Sequence, residues 1–214
     1  MVGCISGDGT ALKPLIILPR KTIEEEVITF GYNTNHVLFA YQEHAFMTAR
    51  LFEHWAESIL FEEVGRRREA TGYTGPCVLI LDGLRAHHSD SFESACYERG
   101  IILHFLVPHT SDQVQMLDLV TFGLMKLWIS RSTFNALSSK QSNQIIKMMG
   151  AWHQSTAPHL VISAFNAAGM IQYLRDGVIY YRIDRSKAKG VRKWEEGVSN
   201  LGVPAGKRIM IENY

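Results

Sequence analysis

The sequence predicts an α/β fold in which two neighbouring strands run parallel. Cys77–Leu81 is an apolar run without alternation, which is typical of a strand buried on both faces. Ile101–Val107 is a second run of this kind. Between them, Asp90 and Glu93 have the spacing of a helix capping box, and Gly100 follows as a helix end. Strand, helix and strand in this order form a βαβ unit, whose two strands lie side by side and in parallel.

The N-terminal residues have the pattern of an antiparallel hairpin. Val2–Ser6 is β-prone, Asp8-Gly9 is a tight-turn signal, and Leu12–Leu18 is the returning strand. Pro14 lacks the N–H group that a ladder needs, so we expect the returning strand to lie partly at an edge or to contain a bulge.

Helices are predicted in much of the remaining chain. Thr48 is a candidate N-cap for a helix that ends near Arg66–Arg68, whereas residues 20–47 show no clear period, and we interpret Glu24–Glu26 as a solvated surface segment. Three later helices are predicted, one after Asp118 with Phe122, Met125, Trp128 and Ile129, one with Ile145, Ile146, Met149 and Trp152, and one from Pro158 to Gly169. We expect residues 1–135 to form one domain, residues 136–170 its helical extension, and residues 171–214 a basic mixed tail.

The composition is that of a globular protein and excludes several classes. The 214 residues are 46% hydrophobic, and 22 Lys and Arg residues against 21 Asp and Glu residues leave a net charge of +1. This balance gives no overall basic field of the kind that by itself indicates nucleic-acid binding. Three widely spaced cysteines fit neither a disulfide framework nor a zinc knuckle, and no signal peptide or membrane-spanning run is visible. We therefore expect a soluble intracellular protein.

Two aspartates are candidates for a metal site because of where they lie. Asp82 directly follows the strand Cys77–Leu81, at the end where ligands bind in open α/β sheets. Asp118 opens a predicted helix, and the βαβ crossover returns the chain to the same edge of the sheet. Convergent carboxylates bind Mg²⁺ or Mn²⁺, and two such ions clamp the attacking and leaving oxygens of a phosphodiester displacement. The alternative is structural, because Asp-Gly is a common turn and Asp is a common helix cap.

Three segments of the chain carry a distinctive set of motifs: Cys4–Gly9 with Pro14–Ile17, Leu79–His87, and Pro108–Asp118 with Phe122-Gly123. Taken together, they resemble the DDE-type endonuclease domain of pogo, Tigger and jerky transposases and of the host proteins derived from them. The second segment is similar to the family pattern LDG followed by a histidine, and the third to PHTS…QPLD…FG. Weaker similarities at Phe46–Thr48 and Ser163–Gly169 extend the resemblance over about residues 4–170.

The resemblance implies an RNase H-like mixed sheet flanked by helices. It also implies a nuclease that cuts and joins DNA with two divalent metal ions, Mg²⁺ or Mn²⁺, bound by three acids. Asp82 matches the second acid and Asp118 the third, and His87 matches the histidine that follows the second acid and shapes the site. The resemblance further implies DNA as the partner and the nucleus as the location.

The chain departs from the family pattern at its start. The family's first acid lies on a central strand upstream of the segment that Cys4–Gly9 resembles. We therefore expect a truncated sheet that lacks this acid and this strand, which would lie between the hairpin and the βαβ unit. Asp8 is not a substitute, because a hairpin tip lies away from the strand end, and Asp112 is a weak one. Met116 stands where the family favours proline.

A basic stretch near the C-terminus is the candidate nucleic-acid contact, although a solubilising tail has the same pattern. The leading interpretation is a transposon-derived DDE-type endonuclease domain that binds nucleic acid and has weak or no nuclease activity, because only two of the three acids are found. The alternatives are a non-catalytic nuclear DNA-binding or interaction protein and a generic α/β domain. The basic residues are Arg182, Arg185, Lys187, Lys189, Arg192 and Lys193, with Asp184 among them.

Overall fold

The computed structural model describes residues 1–107, 114–175 and 178–183, which form a mixed α/β fold. The strands are β1 (Leu15–Leu18), β2 (Leu38–Tyr41), β3 (Cys77–Leu81), β4 (Ile101–Phe105), β5 (Met170–Arg175) and β6 (Val178–Ile183). The α-helices include α1 (Glu25–Thr29), α2 (Ala49–Trp55), α3 (Glu62–Thr71), α4 (Asp90–Glu98), α5 (Phe122–Arg131), α6 (Lys140–Ser155) and α7 (Pro158–Ala167). Ala56–Phe61 and Leu117–Thr121 are π-helical, and Arg85–His87 is a 3₁₀ turn.

Strands β3 and β4 form the predicted parallel pair around helix α4. Cys77 lies opposite Ile101, and Leu81 lies opposite Phe105. Helix α4 connects the two strands and buries Phe92 in the core between them. The predicted βαβ unit is confirmed, although β4 ends at Phe105, two residues earlier than the apolar run indicates.

The expectation that β3 is buried on both faces is wrong. Leu79 and Leu81 are buried in the main core, whereas Val78 is 50% exposed and the residue opposite it, Ile102, is 38% exposed. Because side chains alternate along a strand, one face of the β3–β4 pair packs on the core and the described residues cover the other only in part. An apolar run does not distinguish one covered face from two.

Helix α4 has a different cap from the one predicted. Ser89, not Asp90, is the N-cap, and its hydroxyl accepts the N–H of Phe92 at 3.2 Å. The same hydroxyl donates to Glu53 of α2 at 2.6 Å, so the cap also links two helices. Asp90 instead lies in the first turn, where its charge faces the positive end of the helix dipole.

The predicted N-terminal hairpin is confirmed. Antiparallel bridges join Val2 to Leu15 and Ile5 to Ala11. The returning segment becomes a regular strand only after Pro14, in agreement with the missing N–H group of that residue.

Arg67 of helix α3 fastens the tip of this hairpin. Its guanidinium donates to Asp8 at 2.5 Å, to Ser6 at 3.0 Å and to Glu63 of its own helix at 2.7 Å. The sequence predicts a helix end near Arg66–Arg68, whereas α3 continues to Thr71 and Arg67 has this more specific role. The hairpin tip is therefore held by a charged side chain from a distant part of the chain.

Residues 20–47 contain helix α1 and strand β2, and β2 pairs in parallel with β1. The sequence does not reveal these two elements, because the segment has no clear hydrophobic period. The interpretation of Glu24–Glu26 as a solvated segment is wrong in part. Glu26 accepts hydrogen bonds from the N–H and hydroxyl of Ser138 at 3.1 and 2.8 Å, and Glu24 accepts one from Ser142 at 3.0 Å. These bonds tie α1 to the start of α6.

Strand β1 contributes to two hydrophobic clusters, one on each face. Leu15 and Ile17 lie in the main cluster with α2, β3, α4 and β4. Ile16 and Leu18 lie in a second cluster with the apolar face of α6. As predicted, the apolar face of α6 includes Ile145 and Met149, and both are buried. On α5, by contrast, Trp128 is 42% exposed and does not belong to a buried apolar face. The start of the expected mixed tail instead forms the antiparallel pair β5–β6.

The described strands form three separate pairs, β1–β2, β3–β4 and β5–β6. In the part of the chain that the structure describes, no ladder joins the N-terminal hairpin to β3, although Leu15 and Leu79 lie in the same hydrophobic cluster. Side-chain packing, rather than a continuous sheet, therefore holds the hairpin and the βαβ unit together.

Replacing Arg67 by Lys should lower the free energy of unfolding by about 1–2 kcal/mol, because one ammonium group cannot reproduce the fork of charged hydrogen bonds to Asp8, Ser6 and Glu63. Arg66→Lys is the matched control, since Arg66 is more exposed and also bonds Glu63, and we expect a loss below about 0.5 kcal/mol. Urea unfolding measures both values. Equal losses would show that the contact with the hairpin tip contributes nothing.

The same network should make stability depend on pH in acid. Hydrogen bonds from Arg66 and Arg67 lower the pKa of Glu63 from 4.5 to about 2. Because the pKa is lower in the folded state than in the unfolded state, the stabilisation is present above pH 4.5 and is lost as the pH falls towards about 2. Urea unfolding across this range should show a smaller slope against pH for Glu63→Gln, and an unchanged slope would contradict the assignment.

Candidate functional site

Asp82 lies where the sequence predicts it, directly after the last residue of β3. Its Oδ1 atom is 2.8 Å from Nδ1 of His87 and accepts the N–H of Leu84 at 3.2 Å. The hydrogen bond from His87 lowers the pKa of Asp82, so the carboxylate is charged at neutral pH. The Asp82 side chain is 37% exposed, and both contacts use Oδ1. A charged and partly open carboxylate therefore stands at the end of the strand.

The ring of His87 is fixed from behind by a cluster of aromatic side chains. His87 lies in the 3₁₀ turn after Asp82 and is buried, with its ring centroid 4.2 Å from that of Phe52. Phe52 also contacts Trp55 at 5.4 Å and Phe92 at 4.8 Å between ring centroids. Helices α2 and α4 thus hold the histidine that contacts Asp82.

The neighbouring histidine has different surroundings. The ring of His88 stacks on Phe105 with centroids 4.1 Å apart, and its Nδ1 atom is 3.8 Å from Glu93. His88 is exposed, whereas His87 is buried against Asp82. Only one of the two adjacent histidines therefore orients the carboxylate, and the other is a natural control for it.

Asp118 lies in the first turn of a helical run rather than at its cap. The preceding residue pair is already helical, and the N–H of Asp118 donates to the backbone oxygen of Gln115 at 3.0 Å. Its side chain is exposed. The turn Leu117–Thr121 is π-helical, a distortion of the α-helix that is frequent at functional sites. The sequence gives no signal for this wider turn.

The segments that carry the two aspartates share apolar contacts. Ile80, two residues before Asp82, packs in a cluster with Met116 and Leu119, which lie on either side of Asp118 in the sequence. The structure therefore brings both chain segments to the face of β3 that carries Ile80. The meeting of the two carboxylates on a common ion stays a prediction.

Two buried polar atoms near Asp118 have no hydrogen-bond partner among the described residues. They are Oε1 of Gln115 and Oγ1 of Thr121, three residues before and three residues after Asp118. A buried acceptor without a donor costs about 1–3 kcal/mol, so a bound water or ion commonly accounts for such an atom. The surroundings of Asp118 thus contain acceptor capacity that the described protein atoms do not use.

The donor chemistry of these residues fits a divalent cation. Asp82 and Asp118 offer carboxylate oxygens and Gln115 an amide oxygen, which are the ligands that Mg²⁺ and Mn²⁺ prefer. Within residues 1–107, 114–175 and 178–183, no group of three His, Cys, Asp or Glu side chains is arranged to hold a metal. The residue types therefore fit a divalent cation, and the predicted site supplies two carboxylates, those of Asp82 and Asp118.

The remaining predicted site residues divide into two groups. Asp112 falls in residues 108–113 and lies outside the described residues. Asp8 is described and is bonded to Arg67 at the hairpin tip. Arg182 is described and exposed. The proposed nucleic-acid contacts Arg185, Lys187, Lys189, Arg192 and Lys193 all lie outside the described residues.

A loop before helix α2 is a feature that we did not select from the sequence. Oε1 of Gln42 accepts the N–H groups of His44 and Phe46 at 2.7 and 3.0 Å. Between them, Ala45 has a φ of 54°, the one left-handed non-glycine residue in the described chain. Phe46 follows and is 71% exposed. The weak family similarity at Phe46–Thr48 is the signal that could have drawn attention to it.

The comparison with known families decides the identity of the chain. The family described as DDE superfamily endonuclease matches residues 1–171, which include Asp82, His87 and Asp118. The chain belongs to this family. The resemblance stated from the sequence motifs is thereby confirmed, and members of the family generally use divalent metal ions.

One curated relative is a protein named MFS-type transporter clz9 from Cochliobolus lunatus. It is 29% identical to this chain over 113 residues, which are 50% of the chain and 12% of the relative. The chain therefore spans a small part of the length of that relative. No solved structure gives a significant match. Among the described residues, no helix combines the length and the apolar character needed to cross a membrane.

Replacing His87 by Phe should raise the pKa of Asp82, because the substitution keeps the ring against Phe52 and removes the hydrogen bond that favours the charged carboxylate. His88→Phe is the matched control, since His88 contacts Glu93 and Phe105 instead of Asp82, and it should leave that pKa unchanged. Carbon-detected NMR titration of the Asp82 carboxyl group measures both. The same pKa in both variants would contradict the orienting contact.

Proposed function

We propose that this chain is a transposon-derived DDE-type endonuclease domain in which Asp82 and Asp118 bind divalent metal ions. The observation that carries the proposal is the carboxylate of Asp82, charged, partly exposed and oriented by His87 at the end of a parallel strand. Ligand sites in α/β sheets lie at this end of the strands. Family membership supplies the chemistry that such a carboxylate serves.

The proposed metal site uses oxygen ligands from two parts of the chain. Asp82 would contribute its second oxygen, since His87 and Leu84 contact Oδ1. Asp118 would contribute from the π-helical turn, and Gln115 would accept a hydrogen bond from a water molecule of the site. When bound, divalent ions stabilise the attacking and leaving oxygens of a phosphodiester displacement. The role of His87 is to hold the carboxylate of Asp82 in one direction.

The architecture proposed for the chain is RNase H-like. The parallel β3–β4 pair, the antiparallel hairpin and the absence of a ladder between them in the described residues support this arrangement, because it has a further central strand at that position. We propose the same division of the chain that the sequence predicts: residues 1–135 form the nuclease domain, residues 136–170 its helical extension and residues 171–214 the basic tail. The packing of α6 on β1 supports the second division.

The activity proposed for this chain on its own is weak or absent. The family resemblance implies three acids, and two of them are matched here, so metal binding should be weaker than in a complete site. The partner is DNA, contacted in part by the basic stretch from Arg182 to Lys193, and the location is the nucleus. The second candidate is a non-catalytic nuclear DNA-binding or interaction protein. The match of only two of the three family acids also favours this candidate.

Metal titration tests the proposal. Calorimetric titration of the purified chain with Mn²⁺ should give a binding signal that Asp118→Ala and Asp82→Asn each weaken at least about tenfold, because each removes one of two carboxylate ligands. Asp90→Asn is the matched control, since Asp90 is an exposed aspartate in the first turn of α4, and its binding should equal that of the unaltered chain.

DNA assays on the same variants separate the candidates. DNA binding that persists in EDTA, without any Mn²⁺ signal, would favour the non-catalytic protein. Binding of neither Mn²⁺ nor DNA would support a generic α/β domain. Efficient nicking of plasmid by the unaltered chain with Mg²⁺ or Mn²⁺, lost in Asp82→Asn, would contradict the proposed weak activity.

A further inference from the structure

The loop before helix α2 presents an aromatic ring to solvent on an ordered but strained backbone. The amide oxygen of Gln42 bonds two backbone N–H groups of the loop, and Ala45 has the left-handed φ of 54° that L-residues rarely adopt. Phe46, the next residue, is 71% exposed. Neither the left-handed alanine nor the exposed ring stabilises the isolated domain. Such strain is concentrated at functional sites.

A short chain of contacts connects this loop to Asp82. Thr48 caps α2 by accepting the N–H of Leu51 at 3.3 Å, so Phe46 lies two residues before the N-cap of the helix. One turn after the cap, Phe52 contacts the ring of His87 at 4.2 Å, and His87 lies 2.8 Å from Asp82. The exposed ring therefore lies six residues before Phe52, whose ring packs on the histidine that contacts Asp82.

The loop itself carries one exposed carboxylate, Glu43, so a phosphate contact in this region would come from individual arginines rather than from a net positive charge. Arg50 in the first turn of α2 and Arg85 in the turn after Asp82 are exposed, and neither forms an ion pair with a described residue. In contrast, Arg67 is held by two carboxylates. Arg50 thus lies four residues after Phe46, and Arg85 lies three residues after Asp82, in the turn that packs on α2 through His87 and Phe52. Phosphate contacts of nucleic-acid-binding proteins come from groups of this kind.

We infer that Phe46 stacks on an unpaired base of a single DNA strand whose backbone is contacted by Arg50 and Arg85. This inference rests on the proposed function, because it takes the partner of the Asp82 site to be DNA. Aromatic rings and basic side chains along one groove are the usual means of binding single strands. The bond pattern around Gln42 holds the ring outwards before the strand arrives, which reduces the ordering cost of binding.

The most exposed aromatic residue of the described chain is a matched control. Tyr97 is 85% exposed, but it lies at the end of α4, four residues before Ile101, where β4 starts. Because β4 pairs with β3 in parallel, Tyr97 is about one strand length, roughly 16 Å, away from Asp82. Its helix is regular. Tyr97 thus shares exposure with Phe46 but not the strained loop or the position.

The test measures binding of a fluorescein-labelled single-stranded oligonucleotide by fluorescence anisotropy, with EDTA present so that metal binding does not contribute. Phe46→Ala should raise Kd about 5- to 150-fold, which corresponds to one lost stacking contact of about 1–3 kcal/mol. Phe46→Leu should show a similar loss, because leucine is apolar but has no π-face, and Phe46→Trp should bind at least as tightly as the unaltered chain. Tyr97→Ala should have no effect. Because the side chain is exposed, thermal unfolding of all four variants should match the unaltered chain.

The outcomes separate this inference from the proposed function. If the unaltered chain does not bind DNA, the proposed nucleic-acid partner is wrong. If it binds DNA and Phe46→Ala binds equally well, the proposed partner stands and the stacking role is wrong. Full binding by Phe46→Leu with loss in Phe46→Ala would also overturn stacking, since the contact would then be apolar in general and would suit a protein partner.

Discussion

The buried ring of Phe52 is the contact on which the geometry of the candidate site depends. Three elements meet on this ring, since it touches Trp55 of its own helix, His87 of the loop after β3 and Phe92 of α4. The hydrogen bond from Ser89 to Glu53 fastens the same junction beside it. The pairing of β3 with β4 decides where Asp82 lies, and the Phe52 cluster decides how His87 meets it.

Elements set by local physics were predictable from the sequence. The bounds of β3 follow the apolar run Cys77–Leu81, and Thr48 caps α2 as its residue type indicates. Features set by distant partners were not predictable. Ser89 is the cap instead of Asp90, and its hydroxyl also donates a hydrogen bond to Glu53, 36 residues away. Glu26 is not simply solvated because Ser138, 112 residues away, donates to it.

The same distinction applies to the candidate site: features set by local sequence were predictable, and features set by distant contacts were not. A strand end followed by an LDG motif and a histidine was enough to select Asp82 and His87. The support from Phe52 was not predictable, because no local pattern indicates which helix packs behind the histidine. The π-helical turn around Asp118 was likewise not predictable, because no pattern in residues Leu117–Thr121 indicates it.

Two observations concern how the strands are covered and joined. The face of β3 that carries Val78 is partly exposed, and the strand pairs are separate. Strands β1 and β3 share a hydrophobic core without sharing a ladder in the described residues. The strand before Asp82 is therefore buried on the side of Phe52 and partly exposed on the side of Val78. In such a domain, the packing of helices, rather than a continuous sheet, holds the site residues in position.

The most direct test of the central claim is anomalous X-ray diffraction from crystals of the chain grown with Mn²⁺. The account predicts an anomalous peak within coordination distance of one carboxylate oxygen of Asp82 and one of Asp118, about 2.0–2.2 Å from each as for ions of this class. Ordered crystals with no peak between these residues, or with both carboxylates on separate faces of the domain, would contradict it.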